Sequence, residues 1–170
     1  MDFKKLANQY RDELLDNVLP FWLEHSQDIE FGGYFSCLDR EGKVFDTDKF
    51  IWLQGREVWM FSMLYNKVEK RQEWLDCAVQ GGEFLKKYGH DGNYNWYFSL
   101  DRSGRPLVEP YNIFSYTFAT MAFGQLSLAT GNQEYADIAK KTFEIILSKV
   151  SNPKGKWNKL HPGTRNLKNF

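Results

Sequence analysis

The chain has 170 residues, the length of one domain, and its 22 basic side chains balance its 22 acidic ones. With no net charge and no basic stripe, the composition argues against a nucleic-acid partner and against a polybasic membrane surface. No apolar run approaches the roughly 18 residues of a membrane-spanning helix, no secretory signal opens the chain, and the two cysteines fit a reduced cytoplasmic protein.

Helical periodicity predicts a first helix over residues 3–25, because apolar side chains recur there every three or four positions. Pro20 falls inside this pattern and predicts a kink or a break. Residues 31–45 predict a short hairpin or extended loop, since a Gly-Gly pair opens the segment and residues 39–42 supply turn chemistry.

Four further helices are predicted downstream, separated by polar or glycine-containing segments. They run from about Phe50 or Trp52 to Lys67, from Gln72 to Tyr88, from Asn112 to Ala129, and from Gln133 to Val150. We expect Gly89 to end the second of these helices, and Gly131 lies in the turn that ends the third. Residues 90–110 predict a second loop and hairpin, and the tail after residue 150 is rich in loop-forming residues.

An internal repeat is the strongest indication of architecture. The string YFSCLDREGK at residues 34–43 recurs with one deletion as YFSLDRSGR at residues 97–105, and Gly42 and Gly104 are 62 positions apart. Each copy precedes an aromatic helix, a short turn and a more charged helix. The repeating unit is therefore hairpin, helix, turn, helix, and a third copy is expected to begin at residues 153–157.

Helical hairpins repeated at this length predict an all-α solenoid or a closed α/α toroid, in which the first helix of each pair lines the inside. The helices that begin near Trp52 and Asn112 are aromatic, whereas those that begin near Gln72 and Gln133 carry regularly spaced charges. A five-helix bundle with two decorated loops is the simpler alternative. Because no polar capping unit is visible, we expect residues 1–170 to be the incomplete N-terminal part of one toroid domain with an exposed apolar flank.

The helix that begins near Trp52 contains a candidate ligand-binding face. Its members recur at spacings of four, three and four residues and are Trp52, Arg56, Trp59 and Met63. A guanidinium can present several donors to sugar oxygens while indole rings cover the sugar. The alternative is a structural Arg56 paired with Asp46 or Asp48, although these carboxylates are more simply caps near the helix start.

The second aromatic helix offers a similar face. Its members are Phe114, Phe118, Met121 and Gln125, and Ser115 lies close to them. Aromatic and hydroxyl groups together suit a polar ligand such as a sugar. The alternative is that this stripe, like the other aromatic side chains of the sequence, simply belongs to a core.

The remaining chemistry-bearing residues predict no metal site and no cofactor. The three histidines lie outside the predicted inner helices, and we expect them to be solvated loop residues; they are His25, His90 and His161. No paired-histidine metal spacing and no phosphate-binding loop is present. Carboxylates are plentiful, but no pair can be assigned to the acid and the nucleophile of a glycosidase.

Three segments of the chain resemble the N-acylglucosamine 2-epimerase family closely and in register. They contain the strings WLQGR at residues 52–56, DRSGRPL at residues 101–107 and PGTRNLKN at residues 162–169, which are specific as a set. The family includes cellobiose 2-epimerases and aldose–ketose isomerases and folds as a toroid of six helical hairpins. The resemblance, which begins near Trp22, therefore implies that this chain is about the first half of an (α/α)6 toroid.

The resemblance also implies an activity, the interconversion of N-acetylglucosamine and N-acetylmannosamine or a related sugar 2-epimerisation. The arginine of the WLQGR string lies in the family's substrate cavity and is Arg56 here. The aromatic position that opens the second inner helix corresponds to Phe114, next to Ser115, and the asparagine that starts the following inner helix corresponds to Asn169. The family's two catalytic histidines lie on later inner helices, and nothing in this chain matches them. The resemblance thus implies a segment that is inactive alone.

The expected partner is a sugar substrate, with neither nucleic acid nor membrane. Several family members form homodimers, so a homodimer or a missing C-terminal half is a further expectation. Two other functions stay open. One is a non-catalytic helical module that binds a carbohydrate or a partner chain, and the other is a glycoside hydrolase on the same toroid, which would require a pair of carboxylates.

Overall fold

The computed structural model describes residues 2–110 and 113–151, which form a helical body with two small antiparallel sheets. The helices are α1 (Phe3–Glu13), α2 (Leu19–His25), α3 (Ile51–Lys67), α4 (Gln72–Tyr88), α5 (Phe114–Thr130) and α6 (Gln133–Ser148). The strands are β1 (Cys37–Leu38), β2 (Val44–Asp46), β3 (Lys49–Phe50), β4 (Ser99–Leu100) and β5 (Pro106–Val108). The four long helices confirm the sequence prediction to within two residues at each end.

The first predicted helix is interrupted, as the proline inside it suggested. Asp2 begins α1 by accepting hydrogen bonds from the backbone N–H groups of Lys4 and Lys5 at 3.1 and 3.0 Å. A π-helical segment, Leu14–Val18, separates α1 from α2, and Pro20 lies in the first turn of α2. Since proline has no N–H to donate, the helical hydrogen-bond ladder is disrupted next to it. The predicted break is confirmed on the N-terminal side of Pro20.

The long helices form two layers. Among the described elements, α3 and α5 pack most extensively against each other, while α4 packs on α3 and α6 packs on α5. Gly55 allows the close approach of α3 and α5, because a Cβ at this position would lie 3.0 Å from the backbone of Phe118. The largest buried core side chains are Trp74, Trp96, Tyr34, Tyr116, Phe61 and Phe123. This arrangement agrees with the predicted inner helices α3 and α5 and the predicted outer helices α4 and α6.

The two copies of the repeat form the two predicted hairpins, β1-β2 and β4-β5. The sequence did not predict β3, which lies directly before α3 and pairs antiparallel with β4. The result is a three-stranded sheet in the order β3-β4-β5. The segment that leads into α3 therefore joins the hairpin of the next repeat, a long-range pairing that no local pattern indicates.

One local prediction is wrong, and another holds for a different reason. Asp46 and Asp48 do not cap α3, because Phe50 precedes this helix and Asp46 instead accepts the backbone N–H of Asp48 at 2.9 Å. Gly89 ends α4 as predicted, yet its φ of −69° is right-handed. Glycine is needed there for space, since a Cβ would lie 2.7 Å from the ring of Trp96.

Large apolar side chains are exposed at both ends of the described body. Phe3 and Tyr10 of α1 are 74% and 70% exposed, and at the other end Leu128, Leu147 and Val150 are 70%, 54% and 74% exposed. Exposed apolar groups of this size are typical of surfaces that contact other protein segments. Within the described ranges, no helix combines the length and the apolar character that crossing a bilayer requires.

Candidate functional site

A cleft of about 440 Å³ lies between the end of α2 and the side of α3. Its lining residues are Trp22, Ser36, Leu53, Arg56, Glu57, Trp59 and Met60. Four of these follow the spacing of one helical face, since Leu53, Arg56, Glu57 and Met60 are separated by three, one and three positions. The cleft is thus an aromatic and aliphatic surface that contains one guanidinium and one carboxyl group.

Arg56 lies where the cleft meets the α3–α5 contact. Its side chain is exposed, and its guanidinium carbon is 5.9 Å from the centre of the Phe118 ring on α5. No ion pair in the described part of the chain involves Arg56, so the alternative of a structural pair with Asp46 or Asp48 is not what the structure shows. The donors of Arg56 are therefore available to a ligand.

The predicted aromatic face around Arg56 is divided between two surfaces. Trp52 is half-buried and its ring is 6.0 Å from that of Phe118, on the side of α3 that faces α5. Trp59 instead lines the cleft, opposite Trp22 of α2. Arg56 consequently lies near one aromatic ring of α5 and lines the same cleft as Trp22 and Trp59.

Phe114 and Ser115 open α5 but face different environments. The Phe114 side chain is 40% exposed, whereas Ser115 is 2% exposed. Phe118, one turn after Phe114, is the residue of this face that contacts Trp52 and Arg56. The structure therefore connects the α5 face to Arg56 through Phe118, and it places the Ser115 side chain in the interior. Asn169 lies outside the described residues.

Glu57 is a cleft residue that the sequence reasoning missed. Burial raises the pKa of its carboxyl group from 4.5 to about 8, while a hydrogen bond with Ser26 at 2.5 Å acts in the opposite direction. The carboxyl group is therefore largely protonated at neutral pH. One signal was available, because a glutamate directly after Arg56, within a helix rich in aromatic and aliphatic residues, is expected to be partly shielded from solvent.

The histidines do not contribute to the cleft in the described part of the chain. His25 packs against Phe21 with ring centres 4.9 Å apart, and its side chain is only 29% exposed. His90 lies 4.8 Å from both Tyr94 and Trp96, and burial lowers its pKa. The expectation of solvated histidines is therefore wrong for these two, because aromatic neighbours cover both rings. His161 lies outside the described residues.

The described ranges contain no group of three or more His, Cys, Asp or Glu side chains arranged to hold a metal ion. The two cysteines there are not in a disulfide: Cys77 is buried in α4 and Cys37 is half-buried in β1. Burial raises the pKa of both thiols, so neither is an activated nucleophile.

Comparison with known proteins places the chain in a family. The family model described as N-acylglucosamine 2-epimerase (GlcNAc 2-epimerase) matches residues 33–169. The chain is 44% identical over 140 residues to the N-acylglucosamine 2-epimerase of Mus musculus, an alignment that covers 80% of this chain and 33% of that protein. It is also 29% identical over 167 residues to a cellobiose 2-epimerase of Dictyoglomus turgidum, covering 93% of this chain and 42% of that protein.

A solved structure gives the same result. The cellobiose 2-epimerase of Bacillus thermoamylovorans superposes with a TM-score of 0.75 at 30% identity, over 84% of this chain and 37% of that one. The fold is therefore the (α/α)6 toroid of these epimerases, of which this chain supplies a part. It spans about a third of the length of the curated N-acylglucosamine 2-epimerases that it matches. On these matches, the chain belongs to the N-acylglucosamine 2-epimerase family.

Proposed function

We propose that this chain provides part of the substrate site of a sugar 2-epimerase that interconverts N-acylglucosamine and N-acylmannosamine. The reaction removes the proton at C2, next to the carbonyl of the opened sugar, and returns a proton to the opposite face. Such chemistry needs two bases with pKa values near the working pH. It also needs donors that stabilise the negative oxygen of the enediolate.

The observation that carries this proposal is the environment of Arg56. Its guanidinium has no carboxylate partner in the described structure, lies near the ring of Phe118 and lines a cleft that also contains Trp22 and Trp59. A guanidinium in this position can donate to two sugar oxygens at once and can stabilise the charge that develops on one of them. Since the resemblance to the family implies that the arginine of the WLQGR string lies in the substrate cavity, Arg56 is the residue we assign to the enediolate.

The remaining site residues are proposed to shape the sugar pocket. Trp52 offers a ring face for the C–H groups of the sugar, and Phe114 is exposed on the neighbouring inner helix. Ser115 is buried, so it would support the position of Phe114 or be reached by ligand only after a local rearrangement. Asn169 is proposed to contribute an amide from the next inner helix.

We further propose that this segment by itself does not catalyse the epimerisation. The bases that the reaction needs would be histidines, and neither His25 nor His90 lines the cleft. The test is to incubate the 170-residue chain with N-acetylmannosamine in deuterated water and to follow the C2 proton by NMR. No loss of signal above the protein-free background is expected. Exchange above background would mean that the chain contains a competent base.

Sugar binding tests the role of Arg56 separately from catalysis. Saturation-transfer NMR with N-acetylmannosamine is expected to show transfer to the ring protons and the acyl methyl group. Arg56→Ala should weaken binding by about 10–100-fold, because a hydrogen bond to a charged group contributes roughly 1.5–3 kcal/mol. Arg40→Ala is the matched control, since Arg40 is exposed on the β1-β2 turn, and it should bind like the wild type. Equal binding by Arg56→Ala would remove Arg56 from the site.

A second candidate function is a helical module that binds a partner chain. The exposed apolar side chains of α1 and of α5 and α6 favour it, since such patches are typical of protein contacts. Light scattering of the purified chain distinguishes a monomer from a self-associated form. A monomer at micromolar concentration would argue against self-association through these patches. A glycoside hydrolase is not favoured, because Glu57 is the sole carboxylate among the described lining residues, whereas that chemistry needs two.

A further inference from the structure

The internal repeat defines equivalent positions on the two inner helices, α3 and α5. The two turn segments of the repeat are 62 positions apart. Buried core residues of the helices have the same separation, since Phe61 corresponds to Phe123 and Leu64 corresponds to Leu126. Each residue of α3 therefore has an equivalent 62 positions later on α5, and the two helices can be compared side by side.

Within the chain, α3 lies on α5 in a parallel arrangement. In the first half of both helices, a Cβ at Gly55 would lie 3.0 Å from the backbone of Phe118. In the second half, Asn66 donates to the backbone carbonyl and the side-chain oxygen of Gln125 at 2.9 and 3.0 Å. We call the side of α3 that carries Gly55 and Asn66 its front, and the side of α5 that carries Phe118 and Gln125 its back. The equivalent positions define the back of α3 and the front of α5.

The back of α5 is covered, whereas the back of α3 is open. Ala119 and Ala122 follow Phe118 on the back of α5, and both are completely buried. Their equivalents on α3 are Glu57 and Met60, which line the cleft between α2 and α3. The cleft therefore lies where, one repeat later, another inner helix is packed.

The front of α5 is also open. The positions that correspond to the front of α3 are Thr117 and Leu128, and Met121 and Gly124 lie between them, at spacings of four, three and four residues. Met121 and Leu128 are 41% and 70% exposed, and a Cβ at Gly124 would meet no described atom within 4 Å beyond its own stretch of helix. The chain thus has one open front and one open back, of the kinds that contact each other inside it.

We infer that the cleft between α2 and α3 receives α5 of a second copy of this chain, in the front-to-back arrangement that joins α3 to α5 within one copy. The equivalence places Leu128 of one copy beside Met63 of the other, an apolar pair where the chain itself has the hydrogen-bonded pair of Asn66 and Gln125. Because α5 contains no charged residue, it enters the largely apolar cleft without burying a charge of its own.

This contact is heterologous, because it joins two different surfaces. Each copy presents its front to one neighbour and its back to another, so association continues beyond a dimer into a ring or an open row. The exposed apolar side chains of α6 adjoin the front, since α6 packs on α5, and those of α1 adjoin the cleft through α2. The inference rests on the second candidate function above, a module that binds a partner chain, and does not depend on sugar binding.

Sedimentation velocity of the 170-residue chain tests the contact by blocking one surface at a time. Leu128→Glu puts a charge on the front and Leu53→Glu puts one on the cleft wall, so each variant alone should be monomeric where the wild type forms dimers and larger particles. An equimolar mixture of the two variants should form a dimer and nothing larger, because one intact front and one intact back remain.

The matched control is Phe45→Glu, which changes a 71% exposed apolar side chain outside both surfaces and should associate like the wild type. Circular dichroism checks that each variant keeps the helical content of the wild type. A monomeric wild type, or a mixture of two folded variants that stays monomeric, would overturn the inference. A front covered by another segment of the same chain would give the first of these results.

Disulfide cross-linking identifies the contact without adding a charge. Under mild oxidation, a mixture of Leu128→Cys and Met63→Cys should form the mixed dimer faster than either variant forms its own dimer. The wild type, with Cys37 and Cys77, gives the background. A predominant dimer of Leu128→Cys with itself would mean that front meets front: the partner-binding function would stand and this inference would fall. A monomeric wild type would remove both and leave the sugar-binding proposal untouched.

Discussion

The two copies of the repeated turn have the same local structure. In the first turn, Asp39 donates its backbone N–H to the carbonyl of Lys43 and accepts the amide of Gly42, and in the second Asp101 does the same with Arg105 and Gly104. Both glycines have a left-handed backbone, with φ of 84° and 95°. Similar sequence thus produces the same turn twice, because the contacts that define a turn lie within a few residues.

The surroundings of the two turns nevertheless differ. The second hairpin belongs to the three-stranded sheet, and Leu100 is fully buried, whereas the equivalent Leu38 of the two-stranded sheet is only half-buried. Arg102 donates two hydrogen bonds to the buried carboxylate of Asp28, while the equivalent Arg40 is exposed. A repeated motif therefore acquires its energetic role from the residues that pack on it.

A buried ion pair accounts for much of this difference. Lys49 of β3 lies 2.9 Å from Asp28, and both side chains are completely buried. Arg102 adds its two bonds to the same carboxylate at 2.9 and 3.1 Å. Although burial opposes the ionisation of Asp28, hydrogen bonds from Arg102 and Lys49 outweigh it and lower the pKa. The first turn has no such connection among the described residues.

Removing Asp28 should produce the largest effect. Asp28→Ala is expected to lower the free energy of unfolding by about 3–5 kcal/mol, because it leaves the buried ammonium of Lys49 without its carboxylate. Urea unfolding followed by circular dichroism measures the change. The two equivalent arginines supply the comparison: Arg102→Ala should lower the unfolding midpoint and Arg40→Ala should leave it unchanged. Equal midpoints for these two variants would break the distinction between the turns.

Truncating the equivalent leucines sharpens the same distinction. Leu100→Ala should cost about 2–5 kcal/mol of unfolding free energy, as expected for a fully buried leucine. Leu38→Ala should cost less, since part of its side chain already contacts solvent in the folded chain. The two variants carry the same chemical change in the same motif. Equal losses in urea unfolding would show that burial does not distinguish the two sheets.

Alkaline pH should destabilise the folded chain, and the region around the first turn should be affected more than the region around the second. The pKa of Glu57 is raised from 4.5 to about 8, so the unfolded chain releases this proton at lower pH than the folded chain does. The stability from this group is complete below about pH 4.5 and is lost as the pH rises to about 8, a loss of a few kcal/mol, since each pKa unit corresponds to about 1.4 kcal/mol.

The effect should reach the first turn because His25, next to Ser26, packs beside Gly42. Hydrogen exchange corrected for intrinsic rates should therefore increase more at β1-β2 than at β4-β5 between pH 6 and pH 9. In urea unfolding over the same pH range, the free energy of unfolding should decline less in Glu57→Gln than in the wild type. An unchanged decline in that variant would mean that another group is responsible.

The smallest difference is expected where the turns are locally alike. Gly42→Ala and Gly104→Ala should each cost at least about 1–2 kcal/mol, because both positions require a left-handed backbone. In both, the added Cβ also meets an aromatic ring, that of His25 or that of Tyr88. Gly131→Ala, with the same backbone sign but open space around it, gives the cost of conformation alone. Urea unfolding of the three variants separates the cost of the left-handed backbone from the cost of the contact between the added Cβ and the ring.

Features that depend on neighbours within a few residues could be predicted from the order of the amino acids. The four long helices, the break near Pro20, the turn at Gly131 and both hairpins follow from periodicity and turn chemistry. The family motifs also singled out Arg56, which the structure leaves without a carboxylate partner. These interactions are short in range, so the order of residues is sufficient to predict them.

Which of these elements contact one another depends on the three-dimensional packing of the chain. Two features join segments that are distant in sequence: the pairing of β3 with β4 and the Asp28–Lys49–Arg102 cluster. The burial of Ser115 depends on how the helices pack. Glu57 is the clearest case: burial raises the pKa of its carboxyl group, although the hydrogen bond from Ser26 acts in the opposite direction. Desolvation is a property of the surrounding atoms, and no local pattern specifies them.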